Sequence, residues 1–276
     1  MCITFLYCNP GDSTVKYKLI LINNRDEDYA RETQKATLTV KEDLQTIYGV
    51  DLAGVVKGTW LGVSARNGTI RLGNLANVTG EHIYGKLGRG PIVTNFIRST
   101  ESIEIDNQKI FDLSQDFGNF NFLSVVINPS GDIETHYVSN TPKLTEKLSP
   151  GYIGMSNSPL SHPFKKVEEG TELFKDFVKS HSNSTKEEFI DQLMELLKND
   201  RKYLPDEELQ RRRHESAPYF ASIHVRTPEM DYGSRTRTII IVDDAGVDYV
   251  EETMTTVDPD GAWERTHIKL PVISQL

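Results

Sequence analysis

The apolar residues fall mostly in short runs divided by polar turn residues, and only the middle of the chain repeats them at helical spacing. Runs of this kind predict strands, and the turn residues between them predict where the chain reverses. Residues 3–7 read as a first strand, ended by Asn9-Pro10-Gly11-Asp12. Residues 17–22 read as a second, antiparallel to the first and ending at the polar run Asn23-Asn24-Arg25-Asp26-Glu27. Residues 58–64 and 69–75 flank Asn67-Gly68, a strong hairpin signal. Further strands are expected at 120–127, 133–138, 152–155, 219–226, 237–242, 247–255 and 263–270. Helices are expected at 92–98, at 167–179, and after a capping box at Ser184-Thr185-Lys186-Glu187, where Phe189, Ile190, Leu193, Leu196 and Leu197 share one face. Strands, a helical block and strands again predict an α+β fold with two stacked, mainly antiparallel sheets, because so many strands exceed what one sheet usually holds.

Composition narrows the function. The 276 residues, 37% hydrophobic and 26% charged, suit a folded chain and are read as a single domain over 1–276. A net charge of -9 disfavours binding to nucleic acid, whose phosphates it would repel. Arg211-Arg212-Arg213 is flanked by Asp206, Glu207, Glu208 and Glu215 and reads as a solvated charged face. No apolar run approaches the length of a membrane span, and the N-terminus lacks the basic region of a signal peptide. The two cysteines, Cys2 and Cys8, would lie roughly 20 Å apart along one strand, too far to bond to each other. A reducing, cytoplasmic setting fits that usage.

Four places carry candidate chemistry. Cys2 follows the initiator methionine, and a small second residue permits removal of Met1. Cys2 would then hold a thiol and a free amine of pKa about 7.7–8.0 on one residue, so that the amine takes the thiol proton. Arg25 and Asp26 stand where a second strand ends beside Cys2; an arginine lowers a thiol pKa and a carboxylate anchors an ammonium. Asn157, in Ser156-Asn157-Ser158-Pro159, has the amide an oxyanion needs. Arg235 and Arg237 alternate with hydroxyls in Gly233-Ser234-Arg235-Thr236-Arg237-Thr238 and suit a carboxylate, phosphate or propionate. The seven histidines, His82, His136, His162, His181, His214, His224 and His267, form no motif of metal-binding spacing, so no metal is expected. Gly85-Lys86-Leu87-Gly88-Arg89-Gly90 is neither of the common nucleotide-binding glycine loops.

Together these pieces resemble the transport and Golgi organisation two family, also called the NRDE family. The resemblance rests on Met1-Cys2-Ile3, Asn24-Arg25-Asp26-Glu27, Gly58-Thr59-Trp60-Leu61-Gly62, Gly88-Arg89-Gly90, Ser156-Asn157 and Ser234-Arg235-Thr236, in that order over nearly the whole chain. Gly73, where the family usually has threonine, departs from it. The resemblance implies an N-terminal nucleophile hydrolase-like fold, an αββα sandwich, distantly similar to the cysteine amidases that act on penicillin V and bile salts. Carried over, Cys2 is nucleophile and base, Arg25 and Asp26 flank it, Asn157 serves the oxyanion and Arg235 completes the site. Those amidases separate the arginine and aspartate by two residues; here the two are adjacent, so along a strand they should face opposite sides.

The resemblance also implies another role, intracellular haem trafficking from stores or mitochondria, with a link to lipid and acyl-coenzyme A metabolism. Haem would be a transported ligand and not a fixed prosthetic group, bound through Cys2 or His162 with Arg235 or Arg237 on its propionates. Donor organelles and acceptor proteins would be its partners, at mitochondria or Golgi. The alternatives are an active Cys2 amide hydrolase acting on a small acyl substrate, and a non-catalytic acyl-coenzyme A or lipid-binding adaptor.

Overall fold

The computed structural model describes residues 1–9, 11–54, 56–80, 87–181 and 183–271. Pro10 of the first turn, His82, and Gly85-Lys86 of the glycine run lie outside the described residues. In chain order the strands are β1 (Ile3–Cys8), β2 (Leu19–Asp28), β3 (Thr33–Lys41), β4 (Leu44–Asp51), β5 (Leu61–Arg66), β6 (Thr69–Asn77), β7 (Phe120–Ile127), β8 (Ile133–Asn140), β9 (Lys143–Leu148), β10 (Gly151–Met155), β11 (Arg226–Thr227), β12 (Tyr232–Asp243), β13 (Gly246–Met254) and β14 (Trp263–Pro271). The helices are α1 (Gly90–Arg98), α2 (Ile103–Asp112), α3 (Lys165–Ser180), α4 (Lys186–Leu197) and α5 (Glu207–Arg213). Two compact units result.

The first unit holds Met1–Ala30, Gly151–Asp243 and Asp248–His267. Its sheet runs β10-β1-β2-β12-β13-β14, with β11 on the edge of β12. Alternation along β1 and β2 sends Ile3, Phe5, Tyr7, Ile20 and Ile22 into a core shared with Phe174 and Val178 of α3 and Phe189, Leu193 and Leu197 of α4. Each such side chain, fully buried, contributes roughly 1.5–3 kcal/mol of hydrophobic stabilisation. The second unit holds Arg31–Pro150 together with the 244–247 turn and the chain's last residues. Its sheet is an uninterrupted meander from β3 to β9. Val93, Phe96 and Ile97 of α1 and Ile103 of α2 pack there with Phe120, Phe122 and Val138.

The α+β class with two antiparallel sheets and their helices is as expected. Several elements differ. β2 does not stop at Ile22 but continues through the polar run to Asp28, because β1 pairs with it as far as Asn24 and β12 all the way to Asp28. The strand expected at 219–226 is instead a 3-10 helix over His214–Phe220 followed by the two-residue β11. The capping box sits one residue later than expected, between Thr185 and Glu188. Strands β3, β4 and β9 and helix α2 were not foreseen. β3 is an edge strand in which Ala36, Leu38 and Val40 alternate with polar residues, although Leu38 and Val40 are exposed and only Ala36 is buried. The charged run is not wholly a solvated face. Arg212 is buried against Glu208, and Arg213 turns inward over the Phe220 ring, 4.6 Å from its centroid.

Candidate functional site

Strand register builds the site. Ile3 lies opposite Asn24 in the last pair of the β1–β2 ladder, so Met1 and Cys2 run on toward the end of β2 that carries Arg25 and Asp26. Adjacent strand residues face opposite sides, so Arg25 and Asp26 do as well. On the helix-covered face, the Met1 ammonium lies 3.3 Å from Asp26 Oδ2 and donates to the Tyr232 hydroxyl. On the other face, Arg25 lies within 3.9 Å of Glu27 and contributes positive potential at the Cys2 thiol.

The third strand of the site is β10. Thr4 lies opposite Met155 in its last pair with β1, and Asn157 follows two residues beyond, buried. The Ser156 hydroxyl between them donates to the Cys2 carbonyl at 2.6 Å. From the other side, β12 places Ser234 opposite Asp26 and Thr236 opposite Arg25, with Arg235 bulged out between them. The bulge turns Arg235 away: its guanidinium donates to the Asp28 carbonyl at 3.3 Å. Arg237 is committed elsewhere, paired with Glu252 at 3.2 Å and stacked 3.7 Å over the Trp263 ring. His162 is exposed beside the Ser161 hydroxyl at 2.9 Å. The structure therefore brings Cys2, Arg25 and Asp26 together at one end of the first sheet, sets Asn157 just past the end of the neighbouring β10, and sets Arg235, Arg237 and His162 in other hydrogen-bond environments.

Electrostatics at this end are dominated by desolvation. Burial pushes the Cys2 thiol pKa up, with the nearby ammonium and Arg25 pulling it down and Asp26 pushing with the burial. Burial also lowers the pKa of the Met1 ammonium, against the pull of Asp26. Cys2 keeps part of its surface exposed, whereas Cys8 is buried, and the two are not joined in a disulfide. The thiol donates weakly to the Asp26 carbonyl at 3.7 Å.

Several residues at this end carry no motif that announces them. Lys166 of α3 is fully buried, 3.0 Å from the Ser222 carbonyl and 3.4 Å from that of Met1, and desolvation lowers its pKa to about 8. Arg213 points its Nε at the Met1 sulfur, 3.2 Å away. Tyr232 donates to the Asp26 carbonyl at 3.0 Å. Ser234 donates to Asp26 Oδ1 at 2.5 Å. Asn24 is structural: its amide bonds the Leu197 and Ile223 carbonyls at 2.8 and 2.9 Å, tying β2 to the end of α4.

The family model for "Transport and Golgi organisation 2" matches residues 1–256. The chain belongs to this family. It is similar to the Transport and Golgi organization protein 2 of Drosophila melanogaster, 35% identical over 98% of each chain. It is also similar to the Homo sapiens homolog, 31% identical over 94% of this chain and 95% of that one. Among solved structures it resembles penicillin V acylase from Agrobacterium tumefaciens, with a TM-score of 0.52 at 12% identity over 96% of this chain and 90% of that one. That likeness establishes the N-terminal nucleophile hydrolase-like fold and nothing about activity. The family's glycine motifs have a structural reading here. A Cβ on Gly58 would overlap the Gly90 backbone, so the two motifs meet where no side chain fits. Gly73 lies beneath the rings of Phe96 and Phe122, which occupy the space a larger residue would need. No helix among the described residues is long and apolar enough to cross a membrane.

Proposed function

We propose that this protein binds haem reversibly at the Cys2 end of its first sheet and hands it on within the cell, at mitochondria or Golgi membranes. The observation that carries the reading is the Cys2 thiol, outside any disulfide and on a residue that keeps part of its surface exposed, with the Arg25 guanidinium near enough to pull its pKa down. A thiolate is an accepted axial ligand of haem iron, and coordination itself displaces the thiol proton. Arg235, partly exposed on its bulge, is better placed than the buried Arg237 to meet a propionate. Family membership is consistent with this role and does not establish it. The test is a haem titration of the purified chain beside Cys2→Ala. A Soret shift lost in the variant supports the reading. A titration without spectral change rejects it, and a shift that survives moves the ligand elsewhere, His162 first.

A second reading is a Cys2 amide hydrolase acting on a small acyl substrate. It is favoured by a separate observation: Asp26 already holds an ammonium beside Cys2. Removal of Met1 would give Cys2 its own amine next to that carboxylate, with Asn157, just past the end of β10, as the candidate oxyanion donor. Cys2-dependent turnover across a panel of acyl amides, with no haem signal, would favour this reading over the first.

A further inference from the structure

Away from the Cys2 end, in the second unit, three side chains converge that no sequence spacing connects. Glu134 and His136 are two apart on β8 and so share a face. Helix α2 packs on β8 and brings Glu104, in its first turn, over the same spot. The donor atoms of Glu104, Glu134 and His136 all lie within 4.8 Å of one another, the one such group of three among the described residues. A second observation points to a missing ligand. The His136 side chain is only 9% exposed, and its Nε2, sealed from solvent, has no hydrogen-bond partner. A buried ring nitrogen left unsatisfied is destabilising. That nitrogen aims into the group, 3.9 Å from Glu104 Oε1.

We infer that Glu104, Glu134 and His136 form a binding site for a divalent transition-metal ion of the zinc type. One imidazole and two carboxylates suit such an ion better than magnesium or calcium, which favour oxygen ligands alone. Donors about 2.0–2.2 Å from zinc lie roughly 3.4 Å apart around a tetrahedral shell, so the present spacing closes with sub-ångström side-chain movement. One cation already competes: Lys147 Nζ lies 3.1 Å from Glu134 Oε2. Its side chain is 60% exposed, so it can swing into water when an ion arrives.

The probe is zinc chloride, titrated by calorimetry into the metal-stripped full chain near neutral pH, with magnesium as the comparison ion. One zinc per chain at micromolar concentration is expected, unaffected by excess magnesium. Glu104→Gln, which changes an exposed side chain and leaves the fold intact, should weaken binding about tenfold or more. Lys147→Met should tighten it several-fold, an effect that a purely structural ion-pair cluster would not produce. Cys2→Ala should leave it unchanged. The inference is overturned if the wild type shows no saturable zinc binding, if binding survives Glu104→Gln combined with Glu134→Gln, if Lys147→Met fails to tighten it, or if Cys2→Ala abolishes it.

Discussion

Ser234 donates to one oxygen of Asp26 at 2.5 Å, and the other oxygen of the same carboxylate lies 3.3 Å from the Met1 ammonium. Asp26 is therefore the hinge between β12 and the start of β1, and it holds a charge pair whose members are both within a percent or so of complete side-chain burial. Such a pair contributes little net stability, yet losing one member leaves an uncompensated charge inside. Asp26→Asn keeps an acceptor for Ser234 and removes only the charge. It should destabilise the chain by about 3–5 kcal/mol. Ser234→Ala removes one donor to a buried carboxylate and should cost about 1–3 kcal/mol. Urea unfolding of the two variants checks the ranking; equal losses would show that the charge pair is not what matters.

Lys166 gives a pH signature. Its folded pKa of about 8 lies below the value near 10.4 of an unfolded lysine. Between those values the unfolded chain binds more protons than the folded one, so stability rises with pH across the window. The penalty, on the order of 3 kcal/mol when complete, is present below pH 8 and is relieved as the pH climbs. Burial raises the pKa of Tyr7 and Tyr17, which works the opposite way above about pH 10, and that of Cys2, which does so from about pH 8.5, so the measurement belongs between pH 7.5 and 9.5 with Cys2→Ala as the background for both chains. The urea midpoint of the Cys2→Ala chain should increase over that range, and Lys166→Met should flatten the increase. A rise of equal slope in the variant would assign it to other groups.

Much of this was legible beforehand, and the gaps have physical causes. β7 was readable to the residue because it is apolar on both faces and ends at Asn128-Pro129. The Asn67-Gly68 turn was readable because both residues need positive φ, and both have it. The polar half of β2 was not, since Asn23 to Glu27 break the apolar pattern; they stay in the strand because Asn23 bonds Thr4, Asn24 bonds two carbonyls and Asp26 bonds Ser234. At the Cys2 end, Arg25, Asp26 and Asn157 could be proposed from motifs. Lys166 and Tyr232 could not, because a lysine inside an amphipathic helix and a tyrosine opening a strand look ordinary until the fold closes over them. Glu104 is thirty residues from Glu134, so no spacing rule joins them to His136.

Gly58 and Gly90 test whether the family's glycine motifs act through packing. A Cβ at either position would overlap the other's backbone, and neither neighbour is a flexible side chain that can move aside. Gly58→Ala and Gly90→Ala should each lower stability by roughly 1–3 kcal/mol through overpacking. Haem titration of the folded fraction should be unchanged, since neither residue belongs to the unit that carries Cys2. Loss of haem binding without loss of stability would give these glycines a ligand role instead.

The two readings of Cys2 separate on the state of Met1. Here Met1 is only 2% exposed, its sulfur beside Arg213, its carbonyl beside Lys166 and its ammonium on Asp26. A haem ligand needs only the thiol of Cys2, so haem binding should persist whether or not Met1 is present. A self-activating nucleophile needs the amine of Cys2 as well, so hydrolysis should appear only in the fraction that has lost Met1. Intact-mass spectrometry of the purified chain measures that fraction. Preparations made with and without co-expressed methionine aminopeptidase vary it while leaving every other residue in place. Soret response independent of the fraction, with no acyl-amide turnover in either preparation, is the expected outcome. Turnover that scales with the processed fraction, and disappears in Cys2→Ala, would reverse the order of the two readings. In that case the Asp26 carboxylate would hold the amine of Cys2 in place of that of Met1, and Asp26→Asn should reduce turnover far more than it reduces haem binding.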